Sequence, residues 1–306
     1  MKWETKAAIA RLCARMPLGE AVYRFGQRRF GELRVQPLSR LRAQVDMTRW
    51  LRACGKSVAG ADLLEVGTGH VPVVPIGFYL SGARRSLTVD LNRRIDWELT
   101  RQTLDWMASR PEEMAALYGH EVVDRPLFEE RYTKLVTMRQ HAPRFLEAAG
   151  IEYLAPRDAA RTALPGHSID CHYSMTVLEH IPPPALQAIL LEARRILKPG
   201  GVALHFIDPS DHFEQQDHSI TPINFLRYSE EQWQRLAGNR FAYCNRLRAS
   251  DLLKLGEASG FTVARSEISV DERSRQALRE GLVLDPRFAA YPEDDTCATS
   301  LRVMWQ

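Results

Sequence analysis

No run of about 18 or more apolar residues occurs in this chain, which excludes a single helix crossing a membrane. The opening Met-Lys-Trp-Glu-Thr-Lys lacks the apolar core of a secretory signal, so a cytoplasmic protein is expected. Cysteine is sparse and scattered. Cys13, Cys54, Cys171, Cys244 and Cys297 show no metal-ligand spacing, and reduced, mostly buried thiols are the simple reading. No charge of one sign dominates: 41 Lys/Arg stand against 38 Asp/Glu, a net +3. A catalytic domain this weakly basic does not track a phosphate backbone, so a nucleic-acid partner is not expected. Internal repeats and low-complexity tracts are also absent. What remains is ordinary globular material, 306 residues at 45% hydrophobic and 26% charged, long enough for one large domain or one domain with insertions.

Charge is unevenly spread. Residues 1–60 hold 13 Lys/Arg and 4 Asp/Glu, so the rest of the chain is acidic. Arg24, Arg28 and Arg29 lie among Val22, Tyr23, Phe25 and Phe30. That pattern offers peripheral contact with an anionic surface, but a helical cap with its arginines in water is the plainer reading.

Residues 62–69, Asp-Leu-Leu-Glu-Val-Gly-Thr-Gly, are the most informative stretch. An apolar run of strand length ends in a glycine turn. A second apolar run, Ser86-Leu-Thr-Val, ends at Asp90. Strand, glycine turn, helix, strand and carboxylate make half of a nucleoside-binding α/β unit. Gly67 and Gly69 let backbone approach a ligand without a side chain in the way. Asp90 can accept hydrogen bonds from ribose hydroxyls. A dinucleotide fingerprint needs a glycine where Pro72 stands, and no Gly-Lys-Ser/Thr follows to cradle phosphate. Glu65, two residues before Gly67, would repel a pyrophosphate and suits a cationic ligand.

At these residues the chain resembles the class I S-adenosylmethionine-dependent methyltransferases. Their first motif, Glu-x-Gly-x-Gly, reads Glu65-Val-Gly67-Thr68-Gly69 here. A third glycine often found in that family is Val71 in this chain, so the turn is expected to differ after Gly69. Val177-Leu-Glu-His-Ile181 and Leu197-Lys-Pro-Gly-Gly201 look like the family's later motifs, in the right order. The resemblance covers about residues 60–90 and 150–270. It implies S-adenosylmethionine as cofactor, with the turn at its methionine part and Asp90 and Leu91 at the ribose. It further implies Asp158 and Ala159 near adenine, and Ser174 and Met175 bordering cofactor and acceptor. Plainer readings stand beside these: Asp158 as a turn cap, Met175 as core filler.

Strand–helix alternation predicts an α/β, doubly wound, mostly parallel sheet, seven-stranded by the resemblance. Strands are expected at 61–66, 86–90, 151–155, 168–174, 202–207, 261–270 and 299–306. Helices are expected at 73–82, 184–197 and 249–259. Residues 1–58 read as a helical N-terminal cap with a turn at Gly31, and 59–306 as the methyltransferase core. Helical insertions fall at about 92–147, a candidate for substrate recognition, and 210–248.

Methyl transfer from a sulfonium needs alignment and exclusion of water; a hydroxyl acceptor also benefits from a base. His212, with Asp208 or Asp211 as orienting partner, is the expected base after strand five. His205 reads as a core histidine, while His180 and His218 are further candidates. No metal is expected, since no pair has ligand spacing on a helix, although Asp208, Asp211 and His212 make a loose oxygen-rich set. Arg227, Arg246 and Arg248 are candidates for binding an anionic acceptor, or surface residues. The stretch from His205 to Ser250 looks like bacterial methyltransferases of surface polysaccharides and natural products, which implies a small-molecule or glycan acceptor. The leading expectation is methyl transfer to a hydroxyl oxygen. Nitrogen or carbon as acceptor, a nicotinamide-dependent oxidoreductase and a non-catalytic binding protein are the alternatives.

Overall fold

The computed structural model of the chain describes residues 1–30 and 33–306, with the side chains of residues 21, 24 and 27–30 outside the described set. The turn expected at Gly31, and the side chains of Arg24, Arg28, Arg29 and Phe30 in the basic stretch, thus lie outside the described residues. Three helices precede the first strand: α1 (Trp3–Arg15), α2 (Gly19–Phe30) and α3 (Leu38–Ala53). Strand β1 (Asp62–Val66), helix α4 (Val73–Leu80) and strand β2 (Arg85–Val89) follow. Four helices come next, α5 (Trp97–Ala108), α6 (Pro111–Leu117), α7 (Arg125–Met138) and α8 (Ala142–Ala148). The chain continues through β3 (Ile151–Leu154), β4 (Ile169–Met175), α9 (Pro183–Ile196) and β5 (Leu197–Ile207). Last are α10 (Glu230–Ala237), α11 (Ala249–Ala258), β6 (Val263–Val270), α12 (Glu272–Arg279), α13 (Glu293–Thr296) and β7 (Ala298–Trp305).

The strands form one sheet in the order β3-β2-β1-β4-β5-β7-β6. β1 runs parallel to β2 and β4, and β2 parallel to β3. The terminal pair β6–β7 is antiparallel. This is the α/β, mostly parallel architecture read from the motif order. Every residue of β1 is buried, as in a strand covered on both faces: Leu63, Leu64 and Val66 supply the apolar surface, and Asp62 and Glu65 are buried carboxylates among them. The register sets Glu65 opposite Thr88. The largest boundary difference from expectation is at β5, which begins at Leu197 and not at Val202, with Lys198-Pro-Gly-Gly201 inside the strand. Gly200, at φ +76°, takes the irregularity that these residues signalled as a stop.

The chain divides into two compact units. The first holds Met1–Glu32, Met175–Leu190 and His205–Gln306; the second holds Leu33–Ser174 and Leu191–Leu204. In the second unit, Tyr118, Phe128 and Phe145 join Leu41, Val45 and Ile76 in one buried cluster. The aromatic stripes of the 92–147 insertion are thus mostly core for α3 and α4, and Trp97 is the exposed exception. In the first unit, Trp3 of α1 is buried against Phe213 and Trp233, with ring centroids 5.6 Å and 6.5 Å away. Its backbone N–H donates to Asp217 at 2.9 Å, which fastens the start of the chain to the 210–248 segment.

Candidate functional site

In the second unit the glycine turn leaves β1 with Gly67 at φ +82° and Gly69 at φ +70°. Gly67 N–H donates to Val89 O at 2.9 Å and ties the turn to β2. A Cβ added at Gly69 meets nothing within 4 Å, so left-handed backbone rather than crowding calls for glycine there, and the space above it is open. Gly69 N–H donates to Asp90 Oδ2 at 3.2 Å. Tyr153 Oη, 3.5 Å from the same oxygen, accepts from Arg94 N–H at 2.8 Å and donates to Asn92 O at 3.2 Å. Burial pushes the Asp90 carboxyl up to about 6, against the opposing pull of Gly69 N–H and Arg94.

Glu65 lies beneath the turn. It is 3% exposed, and Thr88 Oγ1 donates to its Oε2 at 2.5 Å. Thr68 Oγ1 hydrogen-bonds Thr88 Oγ1 in turn, so turn, β2 and Glu65 form one buried polar chain. Burial pushes Glu65 up to about 8, with Thr88 pulling the other way. Leu91 is 67% exposed. Asp158 is exposed and caps its own turn, its Oδ1 accepting from Ala160 N–H at 2.8 Å. Ala159 is buried, Ser174 is fully buried at the end of β4, and Met175 is half-buried.

The first unit brings together the groups after β5. Asp208 Oδ2 stands 3.4 Å from His212 Nε2, an ion pair at the long end of hydrogen-bond range. Burial works against charge on both. The pairing and Ser210 nevertheless hold Asp208 below the usual carboxylate range, and Asp208, Glu179 and Asp211 lift His212 above the usual imidazole range. Asp211 is fully buried and otherwise engaged. Its Oδ1 accepts from Phe213 N–H at 2.9 Å and its Oδ2 from Asn224 Nδ2 at 3.3 Å, so Asp208 is the close partner of His212. The His180 ring sits 4.9 Å from the His212 ring, with its Nδ1 2.9 Å from Tyr243 O. His205 is buried against Trp305, as read, and His218 is exposed beside Glu214.

Two groups escaped the sequence reading. Glu179 is 2% exposed, and neither carboxylate oxygen has a hydrogen-bond partner among the described residues. Burial pushes it up to about 8, helped by Asp208 and opposed by His212. Cys244 brings its Sγ within 3.9 Å of His180 Nδ1. Its signal was hidden because 64 residues separate the two in sequence. Next to these groups is a hollow lined by Lys6, Tyr23, His212, Phe213, Trp233 and Phe241 among others. Of the three arginines named as candidates for an anionic acceptor, Arg227 is exposed, with its Nη1 3.4 Å from Asn224 Oδ1, whereas Arg246 and Arg248 are buried on backbone carbonyls. Arg248 is 0% exposed and donates to Pro209 O, Ala298 O and Asp295 O. Arg246 is buried on Phe225 O, Tyr228 O and Glu230.

Comparison with known proteins agrees with the motif reading. A family model described as a methyltransferase domain matches residues 40–266. A search of curated proteins finds no match. Among solved structures, the chain is similar to magnesium protoporphyrin IX methyltransferase from Synechocystis PCC 6803 with bound SAH. The TM-score is 0.47 and the identity 13%, over 88% of this chain and 83% of that one. It is also similar to an S-adenosylmethionine-dependent methyltransferase from Mesorhizobium loti, at TM-score 0.45 and 16% identity, over 84% and 97% of the two chains. A third is phosphoethanolamine N-methyltransferase 2 of Haemonchus contortus, at TM-score 0.42 and 14% identity, where the match covers 83% of this chain and 51% of that one. No helix among the described residues is long and apolar enough to cross a membrane. With the glycine turn, the acid after β2 and the family match spanning most of the chain, the protein belongs to the methyltransferase-domain family and is a class I S-adenosylmethionine-dependent methyltransferase.

Proposed function

We propose that this enzyme methylates a hydroxyl oxygen of a small molecule or sugar, with His212 as the general base. The observation that carries this reading is the His212–Asp208 pair beside an aromatic-walled hollow. Tyr23, Phe213, Trp233 and Phe241 offer ring faces to a planar body or a sugar face, which suits a small molecule. Lys6 adds one cation to the wall, which favours an acceptor with an acidic substituent.

The chemistry asks little else of the protein. The acceptor oxygen attacks the methyl carbon in line, the S–CH₃ bond breaks, and its electron pair stays on sulfur as a neutral thioether. The hydroxyl proton passes to the free nitrogen lone pair of His212, and Asp208 orients the ring and stabilises the imidazolium that forms. Asp211 supports the base only through its field, since its oxygens hold Phe213 and Asn224.

On the cofactor side, Gly67, Thr68 and Gly69 leave room for the methionine portion and Asp90 takes the ribose hydroxyls. Leu91 packs on the nucleoside, Asp158 and Ala159 border adenine, and Ser174 borders the cofactor. Glu65 acts from below, through Thr88 and Thr68, rather than by touching ligand. The free thiols of all five cysteines suit a reducing compartment, consistent with the cytoplasm.

The test is turnover of hydroxylated aromatic and sugar acceptors with methyl-labelled cofactor, followed by location of the label. His212→Ala should retain S-adenosylhomocysteine affinity and lose roughly 10²–10⁴ in kcat. Label found only on nitrogen or carbon, or an unchanged kcat in His212→Ala, overturns the reading.

A further inference from the structure

We infer that His180, His212 and Cys244 form a binding site for a thiophilic divalent ion of the Zn²⁺ class. One potential ligand atom from each lies within 4.8 Å of those of the other two. Ligands around a tetrahedral zinc, at bonds of about 2.0–2.3 Å, sit roughly 3.3–3.8 Å apart. The 3.9 Å between Cys244 Sγ and His180 Nδ1 is nearly that spacing. Two imidazoles and a thiol select Zn²⁺ over Mg²⁺ or Ca²⁺, which prefer all-oxygen shells. Three protein ligands leave a fourth position for water.

Three independent features support the site. His212 has its Nε2 facing Asp208, which leaves Nδ1 for an ion, as metal-ligating histidines are oriented; on His180 the nitrogen nearest Cys244 is the Nδ1 that faces Tyr243 O at 2.9 Å, so ligation there exchanges that hydrogen bond for the ion. Glu179, next to His180 in the chain, is a buried carboxylate with no hydrogen-bond partner among the described residues, an arrangement a nearby cation relieves. All three ligands line the same hollow, and the His180 ring is exposed, so an entry path exists although Cys244 is buried. Binding does not depend on the base assigned above. One consequence does: an imidazole whose lone pair holds an ion cannot take a proton, so Zn²⁺ should slow any turnover that runs through His212.

The experiment is a Co²⁺ titration of the full-length protein after chelator treatment, followed by absorption spectroscopy. Expected are tetrahedral d–d bands and a near-ultraviolet thiolate-to-Co²⁺ charge-transfer band, both saturating at one ion per chain and displaced by Zn²⁺. Cys244→Ser should lose the charge-transfer band. His180→Ala, at an exposed position and so the variant least prone to misfolding, should weaken binding by more than about tenfold, the least that even outer-shell partners of a metal cost. No stoichiometric Co²⁺ binding by wild type overturns the inference. So does a charge-transfer band that persists in Cys244→Ser, which would come from another of the five thiols, or unchanged affinity in His180→Ala.

Discussion

Replacing Asp90 with asparagine should convert a pH-dependent cofactor affinity into a flat one. In the ligand-free protein the carboxyl is pushed up to about 6 by burial, despite Gly69 N–H and Arg94. Only the ionised form accepts hydrogen bonds from both ribose hydroxyls. The sign follows: affinity is full above pH 6 and falls as the pH drops, by about tenfold per unit once the carboxyl is mostly protonated, since 1.36 kcal/mol is one pH unit. Hydrogen bonds to a charged group contribute about 1.5–3 kcal/mol each. Asp90→Asn should therefore weaken S-adenosylhomocysteine binding by at least about tenfold at pH 8, and the loss should shrink at pH 5. Linkage gives a second reading of the same group. A carboxyl with a raised folded-state pKa makes the fold less stable as pH rises from about 4 to 6. The asparagine variant should lose that slope in the ligand-free protein. Calorimetric titration of S-adenosylhomocysteine between pH 5 and 8 is the direct assay. A flat wild-type profile, or a slope that survives in Asp90→Asn, would refute the argument.

Other outcomes test the packing beneath the site. Glu65, pushed up to about 8 by burial, makes the wild type lose stability between about pH 4.5 and 8. Glu65→Gln keeps an acceptor for Thr88 and should be the more stable protein at pH 8 but not at pH 5, read from urea midpoints. Gly256 in α11 faces Trp305, and an added Cβ lies 2.4 Å from the indole Cε2. Gly256→Ala gains about 1 kcal/mol of helix propensity but meets an overpacking cost of about 1–3 kcal/mol in a rigid core, so a net loss is expected by thermal unfolding. Arg248→Met strands three buried carbonyls, those of Pro209, Asp295 and Ala298, and should cost about 3–5 kcal/mol in a denaturant titration.

The glycine turn and the acid after β2 were legible because their parts are close in sequence. Glu65, Gly67 and Gly69 fall within one strand and turn, and Asp90 ends the next strand of the same unit. Backbone geometry there follows from residue type: glycine alone takes the positive φ cheaply, and a carboxylate at a strand end has few roles. Tyr153, which braces Asp90 from 63 residues away, gave no signal, because nothing local distinguishes it from any strand tyrosine. Arg246 and Arg248 misled for the same reason. An arginine buried mainly on backbone carbonyls is chosen by the fold around it, and carbonyl positions leave no mark in sequence.

The chain's own order of residues determined the layered α/β class, the adenosine-type turn and the family, since each depends on local conformation and short spacing. Only tertiary structure decided that the long aromatic insertion is mostly core, that Asp208 rather than Asp211 stands beside His212, and that Cys244 and Glu179 gather there. Those outcomes turn on contacts closed across tens of residues and on burial, which sets both packing partners and charge states and which no local pattern encodes.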